Sequence, residues 1–270
     1  MNKNRVEENL LKVPLAYNIV KSNLKDSDIK YIDIKYGTHK RQYYRVFNNK
    51  KDSPIIFFVH GGSWWHGSPR RYSSVGKFFY KQGYTVVLVA YRLVPFFRYP
   101  SQIKDVFSGF KHFFNNKYVI GDRKKISVIG FSAGGELATN LVFNRKFHDL
   151  YNIDRKIFKK FISLAGVLDF EKCHQKHAKR LINNYIGNNS IIDTNPVNLV
   201  HGDELIPVLC IHGKKDPLIN IECSKSFISR LHNSPSTKLV VFDRMHHSDI
   251  CNLIRGKVTK KSRIILDFLK

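Results

Sequence analysis

The chain has 270 residues, of which 43% are hydrophobic, so it holds enough apolar material for a sizeable core. Lys and Arg outnumber Asp and Glu by 46 to 21, which gives a formal net charge of +25, but the basic residues lie in short runs along the whole chain. This spread, without zinc-finger spacing or an arginine-rich tail, argues against a dedicated nucleic-acid-binding protein and leaves nonspecific contact with an anionic surface as the alternative.

The cysteines and the first 20 residues bear on the cellular location. The chain has four cysteines: Cys173, Cys210, Cys223 and Cys251. They show no CxxC spacing and no even framework, as expected of free thiols in a reducing compartment. The N-terminal residues lack the continuous apolar core of a secretory signal, being interrupted by Lys12 and Pro14, and no run approaches the roughly 20 apolar residues of a membrane span. We therefore expect a soluble, cytoplasmic protein.

Eight apolar runs are predicted to be strands. The first two, "YIDIKYG" and "RQYYRVF", flank a short glycine-containing turn and are typical of an antiparallel pair. The next six are "PIIFFVH", "YTVVLVAY", "KISVIGF", "KKFISLAG", "IPVLCIHG" and "TKLVVFD". Several of these are continuous apolar runs, which favours parallel strands buried on both faces.

Helices are predicted between and after these strands, over residues 72–82, 101–116, 132–144, 222–232 and 262–269. The alternation predicts an α/β fold with a mostly parallel, eight-stranded sheet and helices on both faces. Residues 171–203 interrupt the alternation and are expected to form a small cap over the sheet edge. No repeat or linker is visible, so we expect residues 1–270 to form one domain.

The loop His60-Gly61-Gly62-Ser63-Trp64 directly follows the third predicted strand. Acyl transfer requires donors aimed at the oxyanion that develops on the substrate, and backbone N–H groups approach closely only where side chains are small. Gly62 and Ser63 are therefore candidate oxyanion-hole donors. The alternative is that the glycines form a tight turn and the neighbouring tryptophans belong to the core.

Ser132 lies in a G-x-S-x-G motif, Gly130-Phe131-Ser132-Ala133-Gly134, between a predicted strand and a predicted helix. A sharp strand-to-helix turn forces the serine into a strained conformation, and larger flanking residues would collide with neighbouring elements. The helix N-terminus adds free N–H groups beside the hydroxyl, so Ala133 is a third candidate donor. An ordinary turn or a phosphate loop is the alternative, although no Lys follows at phosphate-loop spacing.

A serine nucleophile needs a base and a third group that orients the base. Asp216 follows the seventh predicted strand, and His246 and His247 follow the eighth. The order Ser, Asp, His along the chain is the one expected when the serine lies in a strand-to-helix elbow of this kind. Asp216 is alternatively a turn residue, and His212 or either of the paired histidines a core residue. All the candidates nevertheless follow parallel strands, where functional groups are expected.

The chain resembles the α/β-hydrolase superfamily over nearly all of its length. The resemblance is closest to the HGG-containing esterase branch, which includes hormone-sensitive-lipase-like carboxylesterases and kynurenine formamidase. "HGGSW" is similar to the oxyanion motif of that branch and "GFSAGGELA" to its nucleophile elbow. "YRLVPFFRYPSQIKDV" is similar to a segment that supports the oxyanion loop there, through Tyr91-Arg92, Pro100 and Asp105. "HHSDI" is similar to the His-x-Asp-Ile ending of the branch, which implies that His247, and not His246, is the base.

The resemblance implies a serine carboxylesterase with the triad Ser132, Asp216 and His247, acting on a small or medium ester without a metal or organic cofactor. Ser63 in place of the third glycine and the lack of a large cap domain argue against long-chain lipid substrates. Weaker candidates for the walls of the substrate pocket are Trp64, Trp65 and Phe131.

Two other hypotheses stay open at this point. The first is an arylformamidase that acts on N-formylkynurenine with the same residues. The second is a non-catalytic hydrolase scaffold whose charge binds an anionic partner, although an intact triad argues against it. The oligomeric state is left open.

Overall fold

A computed structural model describes residues 29–270, so the prediction about a secretory signal falls outside the described residues. Its eight strands are β1 (Ile32–Lys35), β2 (Tyr43–Phe47), β3 (Ile55–Val59), β4 (Thr85–Val89), β5 (Ile126–Phe131), β6 (Phe158–Leu164), β7 (Val208–Gly213) and β8 (Thr237–Phe242). They form one sheet in the order β1-β2-β4-β3-β5-β6-β7-β8. β2 is antiparallel to both β1 and β4, whereas the remaining pairs are parallel. The predicted strands and their mostly parallel arrangement are confirmed.

The α-helices in the described part of the chain are α1 (Ser73–Lys81), α2 (Ser101–Asn115), α3 (Ala133–Phe143), α4 (Arg145–Tyr151), α5 (Lys176–Ile186), α6 (Ile191–Thr194), α7 (Glu222–Ser229), α8 (His247–Asn252) and α9 (Lys260–Leu269). The five predicted helices are present with small shifts at their ends, whereas α4, α5, α6 and α8 were not predicted as helices. α5, α6 and a 3₁₀ turn at Pro196–Leu199 occupy the insertion between β6 and β7. Over residues 29–270, no helix has the length and apolar character that crossing a membrane requires.

Both faces of the central strands are buried, which explains their continuous apolar sequences. Every residue of β3 is buried. Ile55, Phe57 and Val59 contribute to the apolar cluster on one face of the sheet, and Ile56 and Phe58 contribute to the cluster on the other. This alternation follows from the two-residue period of a strand.

The loops that carry the predicted functional residues lie at one edge of the sheet. Ser132 follows β5, Asp216 lies three residues after the end of β7, and His247 follows β8 by a short loop. Because β5, β6, β7 and β8 pair in parallel, the carboxyl ends of these strands meet at that edge. The loop after β3 reaches the same edge, since β3 pairs in parallel with β5.

Candidate active site

Ser132 occupies a sharp turn between β5 and α3, with backbone angles φ 55° and ψ −124°. A non-glycine residue rarely adopts a positive φ, so this conformation is strained and must be held by its surroundings. The flanking glycines permit close packing: a Cβ on Gly130 would lie 2.4 Å from the carbonyl oxygen of Gly134, and one on Gly134 would lie 2.2 Å from that of Val59. The Ser132 amide donates to the Leu164 carbonyl at 3.0 Å. The sequence pattern thus corresponds to a physically constrained elbow.

His247 joins Ser132 to Asp216. Its Nε2 lies 2.8 Å from Ser132 Oγ and its Nδ1 lies 2.7 Å from Asp216 Oδ2. A carboxylate accepts only, so we infer that the ring proton sits on Nδ1 and that Nε2 accepts the serine proton. His247 and Ser132 are 5% and 8% exposed, so their contacts are largely shielded from bulk water. This arrangement can deprotonate a serine hydroxyl.

The Asp216 carboxylate is fixed by more than its contact with His247. Its Oδ1 accepts the amides of Leu218 and Ile219, each at 2.9 Å. Burial alone would raise the pKa of Asp216, but the neighbouring His247 and His212 outweigh it and hold that pKa below its usual value. Asp216 is therefore ionised and suited to orient an imidazole and stabilise its cation.

His212 is a buried support for this loop, in accordance with the core alternative that the sequence left open. It is fully buried, and its Nδ1 and Nε2 lie 2.9 Å from Ser224 Oγ and 3.0 Å from the Ile219 carbonyl oxygen. Its Nε2 is also 3.4 Å from Asp216 Oδ2. His212 therefore touches the carboxylate that orients His247.

The two adjacent histidines diverge because a helix begins between them. His247 is the first residue of α8, whereas His246 caps that helix. The His246 amide donates to Asp249 Oδ2 at 2.8 Å, and its side chain is 52% exposed. The structure brings His247, and not His246, to Ser132.

Residues 60–67, which carry the candidate donors Gly62 and Ser63 and are called the oxyanion loop below, lie beside the elbow. Gly62, Ser63 and Trp64 have φ values of 132°, 54° and 58°, a run of conformations that only tight constraints maintain. A Cβ on Gly61 would lie 3.0 Å from Ser132 Cβ, so only glycine allows the loop to approach this closely. Ala133 is the first residue of α3, and a helix supplies no acceptor for its first amide. All three candidate donors thus lie on segments that flank Ser132.

Side chains from neighbouring segments hold the oxyanion loop. The Tyr91 hydroxyl donates to the His60 carbonyl at 2.7 Å. The Arg92 guanidinium binds both oxygens of Asp105, with Nε–Oδ2 and Nη2–Oδ1 distances of 2.9 and 2.8 Å, and so anchors the segment that carries Tyr91 to α2. Arg41, which the sequence analysis missed, donates to the Gly67 carbonyl at 2.7 Å. The Tyr91 contact agrees with the supporting role that the resemblance implied for this segment.

The three candidate pocket residues have different environments. Trp64 is 2% exposed and stacks on Tyr185, with ring centroids 4.3 Å apart and planes 4° apart. This position fits the packing alternative for Trp64. Phe131 is buried with its ring centroid 5.0 Å from that of His247, whereas Trp65 is 41% exposed. Phe131 is therefore the one whose contact with the triad is seen directly.

Glu136, a fully buried acid on α3, was not predicted from the sequence as a residue near the site. Burial raises the pKa of Glu136 to about 8, against partial compensation by hydrogen bonds from Trp64 and Tyr185. The available signal was the single charged residue in the helix "AGGELATNLVF". Across residues 29–270, no three His, Cys, Asp or Glu side chains gather in a way that would hold a metal ion.

The chain is similar in sequence to a known family and to curated enzymes. The BD-FAE family matches residues 42–231. Esterase LipC of Mycobacterium tuberculosis is 28% identical over 217 residues, which cover 73% of this chain and 53% of the relative. Kynurenine formamidase of Debaryomyces hansenii is 27% identical over 123 residues, covering 43% of this chain and 41% of the relative. The chain thus spans about half or less of the length of these two curated relatives.

Solved structures agree with the fold. Esterase B of Lactobacillus rhamnosis, inhibited by a tributyrin phosphonate, superposes with a TM-score of 0.75 at 18% identity, covering 99% of this chain and 96% of that one. A hyperthermophilic esterase from Pyrobaculum calidifontis gives a TM-score of 0.73 at 18% identity, covering 98% and 91%. The predicted α/β-hydrolase fold is confirmed.

Proposed function

Because the chain belongs to the BD-FAE family, within the α/β-hydrolases, we propose that it is a serine esterase that hydrolyses small or medium carboxylic esters through an acyl-enzyme on Ser132. The observation that carries the proposal is the continuous series of contacts from Ser132 Oγ through the His247 ring to Asp216, at 2.8 and 2.7 Å. A surface or turn serine has no need of this arrangement. Relatives named as esterases support the same chemistry.

Acylation uses His247 first as a base and then as an acid. His247 Nε2 takes the Ser132 proton while Oγ attacks the ester carbonyl carbon, and Asp216 stabilises the imidazolium that forms. The negative charge on the carbonyl oxygen is met by the N–H groups of Gly62, Ser63 and Ala133. Collapse of the tetrahedral intermediate breaks the ester C–O bond, and the leaving alcohol receives the proton from His247.

Deacylation repeats the same steps with water. His247 takes a proton from water, and the hydroxide attacks the acyl carbon in the same oxyanion hole. The bond to Ser132 Oγ then breaks, Oγ recovers the proton from His247, and a carboxylic acid leaves. No step requires a group beyond the triad, the backbone donors and water.

The first test is turnover of p-nitrophenyl acetate by the parent protein and Ser132→Ala. We expect Ser132→Ala to fold and to lose activity by about six orders of magnitude in kcat, because the nucleophile is removed. Ser229→Ala, which alters an exposed serine on α7, is the matched control and should keep full activity. Near-parental turnover by Ser132→Ala would eliminate the nucleophile assignment.

The preferred acyl length follows from the insertion between β6 and β7. In the part of the chain that the structure describes, this insertion adds only α5, α6 and one 3₁₀ turn. Such short elements offer little apolar wall for a long chain, so kcat/KM should fall steadily from p-nitrophenyl acetate to the palmitate. A maximum at the long chains would indicate a lipase instead.

Formamidase activity is the second candidate, favoured by the His247-Ser248-Asp249-Ile250 ending and by a kynurenine formamidase among the relatives. The same triad would attack the formyl carbon and release formate. Assay of N-formylkynurenine beside the p-nitrophenyl esters separates the two activities. A kcat/KM for N-formylkynurenine well above that for every ester, lost in Ser132→Ala, would replace the esterase proposal.

A further inference from the structure

Glu136 places a carboxyl group inside the protein, one helical turn beyond Ser132 on α3. Its Oε2 accepts the Trp64 indole N–H at 3.1 Å, and its Oε1 accepts the Asn140 amide at 2.7 Å and the Tyr185 hydroxyl at 3.3 Å. Removing an ionisable group from water is costly unless it is well paired. The contact with Trp64 connects this buried group to the oxyanion loop.

Trp64 needs such a partner because its backbone is strained. Both Ser63 and Trp64 have positive φ, and a conformation of this kind persists only when the surroundings over-determine it. Several contacts hold Trp64: its ring stacks on Tyr185 of α5 and packs edge-on against Phe170, its carbonyl accepts the Val94 amide at 3.1 Å, and its indole N–H binds Glu136. Of these, only the Glu136 contact leads to the helix that begins beside the nucleophile.

We propose that Glu136 is a positioning residue that fixes the oxyanion loop against the nucleophile helix through the Trp64 indole. The proposal rests on the proposed function, since it assigns Gly62 and Ser63 on the loop and Ala133 on α3 to one oxyanion hole. Those two groups of donors come from separate segments. Their spacing is set where the segments are joined, and the Glu136–Trp64 hydrogen bond joins them directly.

What the loop requires of position 136 is an acceptor for the indole N–H, not a negative charge. A neutral carboxyl group still offers its carbonyl oxygen, and a glutamine amide has the same shape and one such oxygen. Glu136→Gln should therefore keep the loop in place, whereas Glu136→Leu fills similar space but leaves the indole N–H without its acceptor. Trp64→Phe removes the N–H and keeps a ring to stack on Tyr185.

The test is a double-mutant cycle on p-nitrophenyl acetate hydrolysis, with kcat and KM determined separately for Trp64→Phe, Glu136→Leu and the double variant. We expect each single substitution to lower kcat about 10- to 100-fold with little change in KM, because displaced donors weaken transition-state binding more than substrate binding. The double variant should be no worse than the poorer single variant. Glu136→Gln should keep kcat within a few-fold.

Amide hydrogen exchange of residues 61–66 provides a readout that is independent of turnover. Exchange there should accelerate in Glu136→Leu and Trp64→Phe and stay at the parental rate in Glu136→Gln. Unchanged exchange and kcat in Glu136→Leu, or losses that multiply in the double variant, would overturn the positioning role. Absence of Ser132-dependent hydrolysis in the parent protein would instead count against the proposed function, while the exchange data would still decide whether Glu136 holds the loop.

Discussion

The two sides of Ser132 are held in different ways. On the acid–base side, the reacting groups bind one another directly: His247 contacts Ser132 and Asp216, and backbone amides fix Asp216 in turn. On the oxyanion side, the proposed donors are the Ala133 amide on α3 and backbone groups of a strained loop, which is held by several supporting side chains, among them Tyr91 and Glu136. A single substitution on the acid–base side should therefore abolish ester turnover, whereas each substitution on the oxyanion side should lower it only in part.

The largest difference is expected between the two neighbouring histidines. His247→Ala removes the base and should lower kcat by about six orders of magnitude, as loss of a triad base does elsewhere. His246→Ala changes an exposed capping residue and should retain activity within a few-fold. Ester turnover by the two purified variants, with folding checked by circular dichroism, makes the comparison. Loss of activity in His246→Ala but not in His247→Ala would identify His246 as the base.

A smaller loss is expected at Asp216. Asp216→Asn keeps the size of the side chain but removes the acceptor charge that holds the His247 proton on Nδ1, so kcat should fall by about 10⁴-fold. Asp243→Asn is the matched control, because that carboxylate lies on the loop after β8 with its side chain 80% exposed. Substantial turnover by Asp216→Asn would show that another group orients His247, and His212 would be the next to test.

Features that depend on neighbouring residues could be predicted from the sequence, whereas contacts between residues far apart in the chain could not. The strands were predictable because each is a short apolar run, and the meeting of Ser132, Asp216 and His247 was predictable because each follows such a run. α8 was missed because it begins at His247 and has only six residues, which are too few to show a helical periodicity. The Glu136 contact was missed because it joins residues 72 positions apart, and Tyr185 reaches it from the insertion. No local pattern encodes such packing.

Ionisation of Glu136 should have the smallest effect on catalysis but a measurable effect on stability. Its pKa is raised from 4.5 to about 8 by burial among Trp64, Tyr185 and Asn140, with Tyr91 and Tyr99 nearby. Between these values the Glu136 carboxyl is protonated in the folded protein and ionised in the unfolded chain. The stability that Glu136 contributes at low pH is therefore lost as pH rises from about 5 to 8. The full loss should be on the order of 5 kcal/mol.

Urea unfolding of the parent and Glu136→Gln across this pH range measures the effect. The difference between the two free energies of unfolding should shift in favour of the glutamine variant as pH rises and level off above about 8. Two curves that run parallel throughout would mean that Glu136 titrates no differently in the folded and unfolded chains.

The central claim, that Ser132 is a nucleophile activated by His247, is tested most directly by labelling with a fluorophosphonate. Such a reagent phosphonylates an activated serine and expels fluoride, so intact mass spectrometry should show one added phosphonyl group, and peptide mapping should locate it on Ser132. His247→Ala should label far more slowly, and Ser132→Ala should remain unlabelled. A parent protein that stays unmodified, or one labelled at another serine with Ser132 intact, would contradict the account and favour a non-catalytic scaffold or a different site.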